Sequence, residues 1–128
     1  MKLTDSASRC LDRLSIKQKY RNKINDILRL LEEEQVDIAS IILFGSCARG
    51  EAVLGSDIDL CVLTYDKLNR YTKGSLQGEA SRKDDGVKAD LLFFTVEEFS
   101  STRGKFEQAI KKEGIVLWED ESHITNME

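Results

Sequence analysis

The segment Ile38-Ala39-Ser40-Ile41-Ile42-Leu43-Phe44 is apolar at every position except Ser40 and stops at Gly45. A run this short and this apolar predicts a strand buried on both faces. Such a strand lies inside a sheet with helices packed over both sides, so the rest of the chain has to supply that cover. At 128 residues and 41% hydrophobic content there is enough apolar material for one core. Asp57–Leu63, Val87–Thr95 and Ile115–Trp118 read as further strands.

Helical patterns alternate with them. Tyr20, Ile24, Ile27, Leu28 and Leu31 recur at three- and four-residue steps, an amphipathic N-terminal helix. Ser15-Ile16-Lys17-Gln18 reads as its capping box, and Glu32-Glu33-Glu34 closes it. Cys47–Val53 is long enough for a short helix, and Thr95-Val96-Glu97-Glu98 is a second capping signature. Phe106, Ala109 and Ile110 mark another helix, stopped at Gly114. Residues 65–86, polar and carrying Gly74, Gly78 and Gly86, predict a short helix followed by a mobile loop. The expectation is an α+β fold in one domain, with a core of about 15–118 and loose tails at 1–14 and 119–128.

Several functions are disfavoured at once. The net charge of −4 repels phosphate backbones, which argues against nucleic-acid binding. Met1 to Ser6 lacks the apolar stretch of a signal peptide, and no run is long enough for a bilayer, so a cytoplasmic protein is expected. Cys10, Cys47 and Cys61 are odd in number and lack CxxC spacing, which speaks against disulfides and structural zinc. The one histidine, His123, leaves little material for a Ser-His-Asp site.

Three features carry chemistry. In Ile41-Ile42-Leu43-Phe44-Gly45-Ser46-Cys47-Ala48-Arg49-Gly50, a glycine leaves a buried strand and a helix start follows. That arrangement suits an anion such as a triphosphate, with the Ser46 hydroxyl as an added donor; it also reads as an ordinary strand-to-helix turn. It is not a Walker loop, because Glu51-Ala52 follows Gly50 where Lys-Ser/Thr is required. In Ser56-Asp57-Ile58-Asp59-Leu60, the two acids share one strand face, where a hard cation such as Mg²⁺ would relieve their repulsion. A solvated strand end is the plainer alternative. An EF-hand is excluded, since Val62 and Leu68 stand where it needs glycine and glutamate. Asp90, in Val87-Lys88-Ala89-Asp90-Leu91-Leu92, is a charge among apolar residues, which calls for a metal or for a lysine or arginine partner.

Gly45-Ser46, ten intervening positions, then Asp57-x-Asp59, with Asp90 as a third acid, resembles the nucleotidyltransferase superfamily typified by DNA polymerase β. The likeness is nearest to its minimal nucleotidyltransferases. It is strong over 38–64, and 106–118 are similar to the family's closing helix and strand. It departs at Cys47, where the family often has arginine or another polar residue, and in the polar, glycine-rich stretch 65–86.

The resemblance implies an αβαβαβ core on a small mixed sheet. It implies that Asp57, Asp59 and Asp90 hold two Mg²⁺ ions and that Gly45, Ser46, Arg49 and Ser56 bind the nucleotide. It implies transfer of AMP from ATP to a hydroxyl, in minimal members a tyrosine of a helical HEPN-domain toxin with which the nucleotidyltransferase assembles as antitoxin. Arg49 equally reads as a salt-bridge partner of Glu51 or an aspartate. A contact-only antitoxin and an antibiotic nucleotidyltransferase are the alternatives.

Overall fold

The Ile38–Phe44 run forms strand β1, buried along all but its last residue. In the computed structural model of the protein, residues 7, 9–14, 16–48, 57–83, 86–101 and 105–120 are described. β1 pairs antiparallel with β2 (Ile58–Thr64) on one side and with β4 (Ile115–Glu119) on the other. β2 pairs in parallel with β3 (Ala89–Thr95), which gives a mixed sheet in the order β3-β2-β1-β4.

Both faces of the central strands are apolar because each meets its own core. Ile41, Leu43, Ile58, Leu60 and Val62 pack with Ile24, Leu28 and Leu31 of helix α1 (Gln18–Glu33) and Leu76 of helix α3 (Arg70–Ser81). On the opposite face, Ile42, Cys61 and Leu63 pack with Phe99 of α4 (Val96–Ser101) and Ile110 of α5 (Lys105–Glu113). The alternation of strand side chains thus sorts one continuous apolar run into two layers. Helix α2 is the short turn Gly45–Ala48 directly after β1. The extension expected to Val53 lies outside the described residues.

Helix α1 starts later than its sequence suggests. Lys17 is the N-cap and no side chain caps it. Gln18 instead donates to Asn22 Oδ1 at 2.8 Å and accepts from Arg21 at 2.7 Å, so its amide is spent along the helix rather than back toward the cap. Ser15 lies outside the described residues. At the other end the Gln35 amide bonds Glu32 O and the Val36 amide bonds Leu31 O, with Gln35 at φ +56°. This is a Schellman stop with glutamine where glycine is usual.

Three expectations are corrected. Residues 1–14 are not all a loose lead-in: Ala7 and Leu11 are fully buried, and Cys10 and Leu14 pack beside them, an i, i+3, i+4, i+7 stripe. The expected C-terminal tail starts too early, because the Asp120 amide bonds Ala39 O at 2.9 Å and its carboxylate accepts from the Tyr65 hydroxyl. In place of a short helix and mobile loop, 70–81 is a regular twelve-residue helix. Asn69 caps it by accepting from the Thr72 amide at 2.8 Å, and Leu76 and Ala80, four apart, bury one face. Those anchors outweigh the cost of Gly74 and Gly78, roughly 1 kcal/mol each relative to alanine.

The remaining signals fold as written. Thr95 and Glu98 make a reciprocal capping box, with Glu98 N–H donating to Thr95 Oγ1 at 3.0 Å and Thr95 N–H to Glu98 Oε1 at 2.9 Å. Gly114 ends α5, its amide on Ile110 O at 2.7 Å, and a β-carbon there would run into Ile42. Among the described residues, no helix is long and apolar enough to cross a membrane.

Candidate active site

Sheet register brings the candidate acids together. Phe44 of β1 is the partner of Asp59 in β2, and Asp59 is the partner of Asp90 in β3, so the three form a row across the sheet. Asp57 lies one step before β2 and shares a side with Asp59, because Ile58 between them turns into the core. Phe44, Asp57 and Asp59 are half-buried.

Asp90 is exposed, which corrects the expectation of a charge held among apolar residues. β3 is an edge strand, and its neighbours Ala89 and Leu91 take the buried positions while Asp90 faces outward. The edge itself is covered from α3, where Gln77 donates to Leu91 O at 2.9 Å.

Gly45 closes the row from the side. It stands at φ +76°, and a β-carbon there would collide with the Asp59 carboxylate. Glycine is therefore required twice over, by its backbone and by the carboxylate lying against it. Above the row opens a cleft of about 590 Å³, with Phe44, Asp59 and Asp90 on the sheet side and Gln77, Gly78 and Ser81 on α3. That volume falls within the usual range for small-molecule sites, about 300–1,000 Å³.

Asp57 Oδ2 lies 3.6 Å from Lys88 Nζ. The contact depends on the parallel β2–β3 register, which no local pattern announces.

The donor set suits a hard divalent cation. Its three acids offer only carboxylate oxygens. Cys61, next on the same strand face, is fully buried, and burial pushes its thiol up to about 12, so it stays protonated and is no soft competitor. Among the described residues no three acidic, cysteine or histidine side chains already converge tightly enough to enclose an ion. Ser46 is described only in its backbone, and Arg49 and Ser56 lie outside the described residues.

Residues 22–117 match the nucleotidyltransferase domain family. The chain is 26% identical over 98 residues to a probable protein adenylyltransferase, MntA, of Haemophilus influenzae, covering 77% of this chain and 82% of that one. Its fold is similar to that of a toxin–antitoxin crystal structure with AMP-PNP, at TM-score 0.58 and 24% identity, covering 83% of this chain and 85% of the other. It is similar again to the complex of a tri-AMPylated Shewanella oneidensis HEPN toxin with its MNT antitoxin, at TM-score 0.58 and 24% identity, covering 83% and 77%.

Proposed function

The chain belongs to the nucleotidyltransferase domain family, and from that premise we propose that it transfers AMP from ATP to a hydroxyl of a partner protein. The acceptor in this reading is a tyrosine of a HEPN-domain toxin, which the chain neutralises as antitoxin in the cytoplasm. The observation that carries it is the row Phe44–Asp59–Asp90 with Gly45 against Asp59, at the floor of a nucleotide-sized cleft. The probable adenylyltransferase from Haemophilus influenzae and the AMPylated HEPN toxin bound to its MNT antitoxin support the same chemistry.

In the proposed mechanism, Gly45, Ser46, Arg49 and Ser56 hold the triphosphate, and Gly45 lets the chain approach it closely. Asp57, Asp59 and Asp90 would hold Mg²⁺, two ions when the nucleotide is bound. Bound there, Mg²⁺ would withdraw charge from the phosphate oxygens and favour in-line displacement. The acceptor oxygen attacks the α-phosphorus, the bond to the β-phosphate oxygen breaks, and pyrophosphate leaves. Asp90, exposed on β3, faces the acceptor side and takes the hydroxyl proton. Asp59, between Gly45 and Asp90, would be the central carboxylate of that cation site.

A contact-only antitoxin is the second reading, favoured by one observation: the three carboxylates do not converge in the free chain. Co-expression with a HEPN-domain toxin separates the two. Transfer predicts that Asp57→Asn with Asp59→Asn abolishes rescue from toxicity. Full rescue by the double variant would establish neutralisation by contact.

A further inference from the structure

Lys88 stands beside Asp57. Its Nζ lies 3.6 Å from Asp57 Oδ2, with the two side chains 39% and 35% exposed. Backbone pairing sets this contact. The Ile58 amide donates to the Lys88 carbonyl at 3.0 Å, which fixes residues 57 and 88 side by side one step before the Ile58–Ala89 and Asp59–Asp90 pairs. An ammonium therefore faces the first carboxylate of the proposed cation site. It and a divalent ion compete for the same oxygens, and neither tolerates the other at contact.

We propose that Lys88 is a placeholder cation: it occupies Asp57 in the free protein, lowers affinity for a bare divalent ion, and passes to the nucleotide's phosphates when metal and nucleotide enter together. This rests on reading Asp57, Asp59 and Asp90 as the metal–nucleotide site. A partly exposed ion pair is weak enough to yield, worth at most about fivefold in an equilibrium. The arriving triphosphate brings several negative charges for the ammonium to join. In the free protein the pair offsets the charge of Asp57, so the site favours its complete ligand over the bare ion by that same modest factor.

The test is Mn²⁺ binding, followed by the loss of the free-ion EPR signal, with and without a non-hydrolysable ATP analogue. Lys88→Met is expected to bind Mn²⁺ alone about three- to tenfold tighter than wild type, from loss of the competing pair and of one positive charge. Lys88→Arg keeps the charge and is expected to stay within about twofold of wild type. With the analogue present, the advantage of Lys88→Met shrinks or reverses, because the phosphates lose their ammonium. Both variants leave the backbone bond to Ile58 in place.

Unchanged or weaker binding of Mn²⁺ alone in Lys88→Met, or equal tightening in Lys88→Arg, would overturn the proposal. So would an undiminished advantage with the analogue bound. Asp57→Asn separates this from the site assignment: wild-type Mn²⁺ affinity in that variant, with the analogue bound, would remove Asp57 from the metal site altogether.

Discussion

Replacing Gly45 with alanine perturbs fold and site through one added methyl group. The residue stands at φ +76°, and the new β-carbon would strike Asp59 Oδ2, with Cγ at 3.2 Å and Cβ at 3.4 Å. Left-handed backbone costs an L-residue about 1–2 kcal/mol. Overpacking against the carboxylate adds about 1–2 kcal/mol more, near the low end for crowded sites. Gly45→Ala is therefore expected to lose about 2–4 kcal/mol in urea denaturation. In an Asp59→Ala background only the backbone part remains, about 1–2 kcal/mol, since the atoms in collision are gone. The double-mutant cycle should return a coupling of about 1–2 kcal/mol. AMP transfer should fall about a hundredfold in Gly45→Ala, the usual effect of moving a reacting group by an ångström. Equal destabilisation in both backgrounds would refute the close approach of Gly45 to Asp59. Undiminished transfer would refute the role of that approach in catalysis.

Gln35→Gly relieves the left-handed stop of α1 at φ +56° and should stabilise the protein by about 1 kcal/mol in urea denaturation. Leu11→Ala empties a fully buried position in the N-terminal segment and should cost about 2–5 kcal/mol; a loss near zero would detach that segment from the core. Glu98 titrates below the ordinary glutamate value, chiefly through its bond from the Thr95 amide and further through the Thr95 hydroxyl, Lys67 and Lys73. Its folded form keeps the carboxylate to lower pH than the unfolded chain does. The contribution is therefore complete above the ordinary value near 4.5 and lost as pH falls through the folded one. Thermal unfolding should show wild type above Glu98→Gln at neutral pH, with the gap closing in acid; a gap that widens in acid would reverse the sign.

Strands were legible because burial on two faces leaves an unbroken apolar run, as in Ile41-Ile42-Leu43-Phe44. The Thr95 capping box was legible because its partners are three residues apart. Helix α3 was obscured by Gly74 and Gly78, whose propensity argues against a helix that Asn69, Leu76 and Ala80 nonetheless hold. The stripe Ala7, Cys10, Leu11, Leu14 was present in the sequence, but its length of two turns is too short to stand out against polar neighbours. The alternation of Asp57 and Asp59 follows from strand period alone. The outward position of Asp90 and the approach of Lys88 to Asp57 required the strand order and parallel register, which local sequence does not encode.

The most direct measurement is transfer of label from ATP carrying ³²P at the α-phosphate, with Mg²⁺ and a HEPN-domain protein as acceptor. Label is expected on a tyrosine of that protein with the wild-type chain, and is expected to be lost with Asp57→Asn, Asp59→Asn or Asp90→Asn. Tight assembly of the two wild-type proteins without any label on the acceptor would contradict the account and leave neutralisation by contact.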